Sequence, residues 1–459
     1  MGRGRGTRLR CGGMSTVPPT PAQSVPTRAT IGRIVAASLV GTTIEWYDFF
    51  LYGSAAALVF NTLFFPTSDP LTGTLLAFLT YAVGFGARPI GGLVFGHFGD
   101  RIGRKRLLVL SLLLMGGATV LIGVLPTYES IGVAAPLLLT ALRLVQGFAL
   151  GGEWGGAVLL VSEHGDPRRR GFWASWPQAG APGGNLLATA VLAILAAVQP
   201  EEAFQAWGWR VPFLLSGVLV LIGLWIRLAI SESPVFEAAR ARAEAGAEAA
   251  PIVGALRDHW RDVLIAMGAR FAENVSYYVL TAFVLVYATA EAGLPKGTVL
   301  NAVLIGSVVH FATIPLWGAL SDRIGRRPVY LLGAAGVGLW AFAFFALIDT
   351  RSFALVTLAV TVGLVLHGAM YGPQAAFISE LFSTRVRYTG ASMGSQIASI
   401  VAGGLAPLIA TALLRAYGSA LPIALYVAAT ALVTIVAVAM ARETRGRDLA
   451  EVGPERVTV

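Results

Sequence analysis

Two carboxylates lie inside an otherwise apolar stretch near the start of the chain. Glu45 and Asp48 belong to residues 34–60, and their spacing of three residues places both on one face of a helix. A charged side chain at the centre of a lipid-spanning helix costs roughly 2.5–3.5 kcal/mol on insertion scales, so it needs a partner or a function. A buried carboxyl beside a cation can take up and release a proton as water access changes. The sequence therefore predicts a proton-coupling site at Asp48 and Glu45, with a static ion pair between helices as the alternative.

Further polar side chains occur inside other apolar stretches. Arg88 precedes Asp100 by 12 residues, which is roughly 18 Å of helix at 1.5 Å per residue, so it lies at the depth of the two carboxylates. At that depth it is placed to pair with Asp48 or to bind an anionic substrate. For Arg143 and Glu153 a structural role is an equal alternative. The residues predicted to bind substrate are Arg88, Arg143, Glu153, Arg270, Glu273, Asn274, Tyr277, His310, Tyr371 and Gln374.

The composition indicates a chain of membrane-spanning helices. Of 459 residues, 56% are hydrophobic and 13% are charged, whereas about 25% are charged in a soluble domain. The apolar runs are too long and too uniform for the alternating strands of a barrel. The sequence predicts an all-α membrane protein with twelve transmembrane helices in two six-helix halves. The apolar segments are 34–60, 71–97, 107–125, 133–161, 172–198, 211–230, 263–289, 299–320, 329–348, 353–378, 388–414 and 420–441.

Polar stretches divide the chain into regions. The expected order is a disordered cytoplasmic tail, an N-terminal bundle, a cytoplasmic central loop, a C-terminal bundle and a second cytoplasmic tail, at residues 1–33, 34–231, 232–261, 262–441 and 442–459. Within the first tail, Met14 is an alternative start to Met1. Arg and Lys concentrate in the tails, the central loop and the connections after the even-numbered segments, so the positive-inside rule places both termini in the cytoplasm.

Charge and cysteine usage exclude other classes of protein. The net charge is +9, but the basic residues are dispersed between apolar runs and not gathered into a phosphate-binding patch, so no nucleic-acid partner is expected. Cys11 is the single cysteine and the five histidines are scattered. These residues supply neither an internal disulfide nor the ligand cluster or nucleophile of a membrane enzyme. We expect no metal and no cofactor, with a proton gradient as the driving force.

A ten-residue motif occurs twice, after segments 2 and 8. GHFGDRIGRK at 96–105 matches GALSDRIGRR at 318–327, at an offset of 222 residues. A duplicated six-helix half explains the match, and two parallel halves with a site between them are typical of a secondary transporter. The same offset relates Arg88 to His310, which we expect to be a neutral hydrogen-bonding group at equal depth, with a satisfied core histidine as the commoner alternative. The residues predicted to gate the cytoplasmic side are Asp100, Arg101, Arg104, Asp322, Arg323 and Arg326; a tight turn with a topology signal is the alternative.

The doubled motif resembles the signature of the major facilitator superfamily, which has it in both of these loops. The likeness extends from about Ile34 to Arg445. Within that superfamily the chain resembles the metabolite:H⁺ symporters, a bacterial group with shikimate, 2-oxoglutarate, citrate and proline/betaine carriers. The motifs behind this narrower likeness are GTTIEWYDF (41–49), RPIGG (88–92), RLVQG (143–147), GGEWGG (151–156), WRVPF (209–213), ESP (232–234) and RYTG (387–390).

The resemblance and the residues together predict a function. We expect a proton-coupled importer of a small polar metabolite, an organic acid above all, that works by alternating access. It would lie in the bilayer of the cell membrane as a functional monomer, with protons and the small molecule as its other partners. A proline/betaine-type osmolyte symporter is the alternative in the same class, because aromatic residues such as Trp46, Tyr278 and Tyr371 can form a cation–π seat. A channel or a receptor is the alternative of another class, although the doubled gate motif favours alternating access.

Overall fold

The computed structural model describes Gly2 and residues 28–66, 69–102, 104–151, 167–229, 252–382 and 387–447. These residues form helices and their connections, and no strand occurs among them. The fold class is therefore all-α, as the sequence predicts. We number the long helices α1 to α12 in chain order.

Six long helices make up the N-terminal half. Helix α1 runs Arg28–Ala55 and continues through a π-helical turn, Ala56–Phe60, into Asn61–Leu63. A single turn at Tyr128–Ile131 precedes α4, and a 3-10 turn at Pro167–Arg169 precedes α5. The next four helices are α2 Pro70–Ile102, α3 Arg104–Val124, α4 Ala134–Gly151 and α5 Arg170–Val198. Helix α6 consists of three consecutive segments, which are Glu201–Ala203, the π-turn Phe204–Gly208 and Arg210–Ala229.

The C-terminal half also has six. Helix α7 runs Ile252–Tyr278 and continues through the π-turn Val279–Phe283, the segment Val284–Val286 and a second π-turn, Tyr287–Glu291. Helix α11 joins Arg387–Ala398, the π-turn Ser399–Gly404 and Ala406–Tyr417. The others are α8 Lys296–Ile324, α9 Arg326–Asp349, α10 Phe353–Leu381 and α12 Leu421–Met440.

Most of these helices can cross a bilayer by length and composition. Among the described residues, nine are long and apolar enough, and ten if the bent pair Glu201–Gly208 and Arg210–Ile226 forms one span. In α3 the apolar part is shorter, Val109–Val124. The one long helix that is not counted in either group is α1, which carries the charged residues Glu45 and Asp48. The twelve predicted segments thus correspond to the twelve helices one by one.

Two helices begin earlier than the sequence analysis expects. Helix α1 starts at Arg28, inside the predicted tail, and α7 starts at Ile252, inside the predicted central loop. In α7 a non-helical backbone at His259 separates the added turns from the span His259–Glu291.

Helix α5 packs on α8, and α2 packs on α11, which brings the two halves together. The offset of 222 residues relates α2 to α8 and α5 to α11, so the two contacts are equivalent under the repeat. The contact of α5 with α8 is close because both helices have a glycine there: a methyl group on Gly171 would lie 2.6 Å from the carbonyl oxygen of Gly318. Small residues of this kind allow helix backbones to approach within a membrane.

The topology can be tested with single cysteines in a protein whose Cys11 is replaced by serine. Ser130 and Arg442 are both exposed, one between α3 and α4 and the other after α12. We expect an impermeant thiol reagent to label Ser130→Cys on intact cells, and to label Arg442→Cys only after the membrane is permeabilised, because positive charge stays inside. Labelling of Arg442→Cys on intact cells would contradict the predicted orientation.

Candidate functional site

Asp48 is buried between α1 and α6 in the N-terminal half. It is 2% exposed and accepts a short hydrogen bond from the hydroxyl of Ser216 on α6. Glu45, one turn earlier, is also buried, and its carboxyl interacts electrostatically with that of Asp48. Two neighbouring carboxyls repel each other when both are ionised, so such a pair favours holding a proton. The structure thus brings the two predicted proton-coupling residues together.

Arg143 on α4 is fully buried beside this pair. Its Nη1 donates to Oε1 of Gln146 at 3.0 Å, and its guanidinium carbon lies 4.5 Å from the ring centres of Phe49 and Tyr52. Cation–π contacts of this kind contribute about 0.5–2 kcal/mol each. Arg143 also interacts electrostatically with Asp48. It therefore supplies positive charge next to the carboxylates while stacked on aromatic rings.

Arg88 on α2 is buried in the same half, with 5% of the residue exposed. Its guanidinium carbon lies 4.0 Å from the ring centre of Phe85 and 4.4 Å from that of Phe49. Among the described residues it forms no ion pair with Asp48, because aromatic rings surround its guanidinium. Its Nε and Nη2 have no hydrogen-bond partner there either. Arg88 is thus a buried cation with two nitrogens that have no hydrogen-bond partner among the described residues.

Glu273 on α7 is the centre of a hydrogen-bonded cluster in the C-terminal half. Its Oε2 accepts hydrogen bonds of 3.0 Å from Nδ2 of Asn274 and from Nε2 of Gln374 on α10. Nη2 of Arg270 lies 3.6 Å from the same oxygen, and Nη1 of Arg270 donates to Oε1 of Gln374 at 3.1 Å. One amide side chain therefore satisfies both members of the Arg270–Glu273 pair.

Gln374 also connects the cluster to its surroundings. Its Nε2 donates to the hydroxyl of Tyr330 on α9 at 3.0 Å, and its Oε1 accepts from Nε2 of Gln178 on α5 at 3.3 Å. The second contact crosses from one half to the other. Another crossing contact lies nearby, where Nδ2 of Asn185 on α5 donates to Ser307 on α8 at 3.0 Å.

His310 contacts a histidine that the sequence analysis did not select. Nδ1 of His367 on α10 is 2.9 Å from Nε2 of His310 on α8, and Nε2 of His367 is 3.6 Å from Oε1 of Glu273. The ring centre of Tyr371 lies 5.3 Å from that of His367. His367 precedes Tyr371 by four residues and Gln374 by seven, so the helical period already places the three on one face. This spacing is the sequence feature that could have identified His367 as a site residue.

Aromatic rings separate the two clusters at the boundary between the halves. Phe50 of α1 lies 5.2 Å from Tyr277 of α7, measured between ring centres, and Phe85 of α2 lies 5.8 Å from Tyr278 of α7. The hydroxyl of Tyr277 has no hydrogen-bond partner among the described residues. The predicted residues of the two halves therefore face one another across a layer of aromatic side chains.

Asp322 joins the halves at the helix ends that are predicted to be cytoplasmic. Its Oδ1 and Oδ2 accept the backbone N–H groups of Gly171 and Phe172 at 2.8 and 2.9 Å. These groups belong to the first turn of α5, where the helix dipole favours negative charge. Nη1 of Arg326 contacts Oδ1 of Asp322 at 2.7 Å. The structure thus places two of the predicted gating residues directly at a contact between the halves.

Glu380 of α10 completes this cytoplasmic cluster, and the sequence analysis did not select it as a site residue. It is fully buried, 2.9 Å from Nη1 of Arg170 on α5 and 3.2 Å from Nε of Arg326. The contact with Arg170 crosses between the halves. The signal for Glu380 was weak: Ser379-Glu380 before a basic stretch repeats Ser162-Glu163 in the first half.

Residues after α12 cover the cytoplasmic cluster. Thr444 donates to Oε2 of Glu380 at 2.7 Å, and Glu443 accepts the backbone N–H of Arg326 at 2.9 Å. Burial raises the pKa of Glu443, but hydrogen bonds from this and neighbouring backbone N–H groups outweigh it and lower that pKa below its ordinary value. The contact therefore contributes stability above the ordinary pKa of glutamate, and this contribution is lost as the pH falls through the lowered value.

Four predicted site residues cannot be placed in contact with others. Glu153 lies outside the described residues, and so do the side chains of Asp100, Arg101 and Arg104. The side chain of Arg323 is exposed, next to the cluster. The described part of the chain also holds no group of three His, Cys, Asp or Glu side chains that could bind a metal ion.

The opposite ends of the halves, which are predicted to be extracellular, are joined by exposed ion pairs. Lys296 at the start of α8 contacts Glu201 of α6, and Nε of Arg415 on α11 lies 3.0 Å from Oδ2 of Asp69. Exposed pairs contribute only about 0–1 kcal/mol. Separating these pairs should therefore cost less free energy than separating the buried cytoplasmic cluster.

Comparison with known proteins identifies the family. The sequence profile of the Major Facilitator Superfamily matches residues 38–403 and 302–457. The chain belongs to the major facilitator superfamily. This superfamily member is a multi-pass membrane transporter and not an enzyme. The profile match confirms the family resemblance that the sequence motifs indicate.

Relatives within the superfamily are metabolite carriers. The transporter is 43% identical over 423 residues to the inner membrane metabolite transport protein YhjE of Escherichia coli, covering 91% of this chain and 95% of that protein. It is 41% identical to the shikimate transporter of the same organism, covering 90% and 95%. An inward-open structure of the xylose transporter XylE from E. coli superposes with a TM-score of 0.71 at 18% identity, covering 91% and 98%. The last likeness shows the shared fold, with twelve helices in two halves.

The cytoplasmic cluster leads to a prediction about stability. Glu380→Gln should lower the free energy of unfolding by about 3–5 kcal/mol, because it leaves Arg170 and Arg326 buried with less countercharge. The matched control is Glu201→Gln at the exposed extracellular pair, which should cost about 1 kcal/mol or less. Thermal unfolding of both purified variants in detergent measures the difference. Equal melting temperatures for the two variants would show that the cytoplasmic cluster does not hold the halves together.

Proposed function

We propose that this transporter is a proton-coupled symporter that takes up a small organic acid by alternating access. The observation that carries the proposal is the unused hydrogen-bonding edge of Arg88. Nε and Nη2 form one side of the guanidinium, and their parallel N–H bonds match the two oxygens of a carboxylate. Both nitrogens lack partners among the described residues although the side chain is buried. An uncompensated buried charge is strongly unfavourable, and a substrate carboxylate would compensate it.

The position of Arg88 supports a substrate role. It belongs to α2, and its neighbour Phe85 contacts Tyr278 of the opposite half. A ligand held there would touch both halves, as alternating access requires of a substrate site. The relative that transports shikimate, a carboxylate, agrees with this chemistry.

Proton coupling is supported by Asp48 and its neighbours. Burial and the nearby Glu45 favour the neutral form of the Asp48 carboxyl, whereas the hydrogen bond from Ser216 and the nearby Arg143 favour its charged form. Taking up one proton with each substrate anion would keep the loaded site close to neutral. That balance removes the cost of carrying the anion through the apolar interior.

The contacts between the halves support alternating access. The buried cluster around Glu380 and Asp322 closes the cytoplasmic side, whereas exposed pairs join the extracellular side. Separating the exposed pairs costs little free energy, whereas separating the buried cluster costs free energy that another interaction must supply. We propose that the binding of proton and substrate supplies this free energy, so that only the loaded transporter opens toward the cytoplasm.

Import of a betaine-type osmolyte is the alternative within the same class. A quaternary ammonium group would need free aromatic faces. Here Phe49 and Phe85 already stack on the guanidinium groups of Arg88 and Arg143. Two buried arginines also repel a cationic group, so an anionic substrate fits the site better.

A channel or a receptor-like protein is the alternative of another class. Purified protein in liposomes with an imposed pH gradient distinguishes these functions. A panel of radiolabelled shikimate, 2-oxoglutarate, citrate, proline and betaine identifies the substrate. We expect one of the acids to accumulate above its external concentration. A channel would only dissipate its gradient, and accumulation of betaine or proline alone would reject the organic-acid proposal.

Asp48→Asn should abolish accumulation driven by a pH gradient, because the amide keeps the volume of the carboxyl but does not titrate. Exchange of labelled for unlabelled substrate without a gradient should continue. Asp69→Asn, at the exposed pair with Arg415, is the matched control and should transport normally. If Asp48→Asn still concentrates the substrate, another group carries the coupling proton.

Arg88→Lys should impair uptake severely, because a point charge does not reproduce the two parallel N–H bonds. The loss of about 1.5–3 kcal/mol for a charged hydrogen bond corresponds to roughly a 10- to 150-fold lower kcat/KM, with KM most affected. Initial rates at several substrate concentrations measure it, with Arg415→Lys at the protein surface as the control. Near-normal kinetics of Arg88→Lys would reject the bidentate carboxylate contact.

A further inference from the structure

Three titratable side chains lie in a line in the C-terminal half. Nδ1 of His367 lies 2.9 Å from Nε2 of His310, and Nε2 of His367 lies 3.6 Å from Oε1 of Glu273, which is slightly longer than a hydrogen bond. All three are buried, and they come from α7, α10 and α8. Nδ1 of His310 and Nε2 of His367 have no hydrogen-bond partner among the described residues. The line thus begins at an unpartnered ring nitrogen and ends at a carboxylate that a small approach brings within hydrogen-bond distance of His367.

The geometry selects one arrangement of protons when Glu273 is ionised. Neutral imidazole carries one N–H and one lone pair, so a single proton occupies the contact between the two rings. If His367 donated it, the lone pair on Nε2 of His367 would face the carboxylate. If His310 donates it, His367 instead presents its Nε2–H to Oε1 of Glu273. The second arrangement leaves Nδ1 of His310 as an open proton acceptor.

We propose that His310, His367 and Glu273 form a proton relay that carries a second coupling proton, separate from the one at Asp48. A proton from water binds Nδ1 of His310 while the Nε2–H bond of His310 breaks and its proton moves to Nδ1 of His367. The Nε2–H bond of His367 breaks in turn, and its proton forms an O–H bond with Oε1 of Glu273. One proton has entered, Glu273 is neutral, and both rings are again neutral in the opposite tautomer. The reverse sequence releases the proton through His310.

The relay would connect proton uptake to anion binding in this half. In the structure the charge of Glu273 lies 3.6 Å from Nη2 of Arg270. When Glu273 becomes neutral, the positive charge of Arg270 loses that countercharge, and a carboxylate of the substrate can replace it. Proton and anion then enter together without a change in the net charge of the cluster. This inference rests on the proposed symport of an organic acid.

The surroundings of the relay contain further ionisable groups. Tyr277 from α7 lies 5.7 Å from His310 and 4.9 Å from His367, measured between ring centres, and Tyr371 from α10 lies 5.3 Å from His367. Arg270 from α7 and Tyr330 from α9 reach Glu273 directly or through Gln374. Helices α1, α5 and α11 contribute the uncharged Phe50, Gln178 and Gly403. Arg270 is the cation that faces the carboxylate, which keeps Glu273 ionised until the proton arrives.

Nuclear magnetic resonance on the full chain tests the relay without any substrate. The sequence has 5 histidines, so ¹⁵N-histidine labelling of the protein in liposomes yields few signals, which single His→Gln variants assign. At high pH we expect Nε2–H tautomers at both His310 and His367. On acidification both should change together to Nδ1–H tautomers, and Glu273→Gln should abolish this joint change. His259, outside the cluster and 3.5 Å from Asp262, is the control, and its signals should be the same in both proteins.

The opposite spectra would overturn the relay. Independent titration of His310 and His367, or a joint change that persists in Glu273→Gln, would show that no proton passes between the rings and the carboxylate. Because this measurement needs no transport, it remains decisive even if the proposed substrate class is wrong.

Transport measurements test the second proton itself. In weakly buffered liposomes with an internal pH dye, the uptake of radiolabelled shikimate and of protons is recorded together. His367→Gln and Glu273→Gln should lower the protons taken up per shikimate to about half, because one of two titrating sites is removed, whereas His259→Gln should leave the ratio unchanged. An unchanged ratio in His367→Gln with active uptake would overturn the relay. Failure of the unmodified protein to take up any acid of the panel would instead contradict the proposed function.

Discussion

The cost of burying charge determines how this bundle is built. Arg88, Arg143, Asp48 and Glu273 are all shielded from water, and each would be strongly unfavourable if left uncompensated. Neighbouring helices contribute polar groups and aromatic faces to them. The helices therefore pack around these charges as much as around apolar side chains, and the positions of the charges decide which helices must touch.

The two halves compensate the free energy of burying charged side chains in different ways. In the N-terminal half the arginines stack on Phe49, Phe85 and Tyr52, which leaves guanidinium nitrogens unused. In the C-terminal half the amides of Asn274 and Gln374 form hydrogen bonds with the ion pair of α7. The first arrangement keeps hydrogen-bonding capacity for a ligand, whereas the second keeps a carboxylate in contact with titratable rings. A site between two such halves can bind the anion and the proton at separate groups.

The sequence sufficed for the fold and for selecting most of the buried charges that the structure brings together, because helix spans and charges within apolar runs both follow from local composition. Asp48, Glu45, Arg270 and Glu273 could be selected since a charge within an apolar run is conspicuous. Glu380 could not be selected in the same way, because its partner Arg170 lies 210 residues earlier and only folding brings them together. The absence of an Arg88–Asp48 pair was also beyond prediction, since it depends on how the rings of Phe49 and Phe85 are oriented. His367 was within reach of the helical period but was overlooked among apolar neighbours.

The π-helical turns of α1 and α7 carry information about ancestry. The turn in α1 covers Ala56–Phe60 and the turn in α7 covers Val279–Phe283, an offset of 279 − 56 = 223 residues, within one of the offset between the two gate motifs. A π-turn inserts one residue into a helix and is rare, so its recurrence at the same place points to one ancestral helix. A single ancestral half that already contained the insertion would give this pattern. The arginine of α2 and the histidine of α8 would then occupy matching positions on two copies of a scaffold that bends in the same way at this turn.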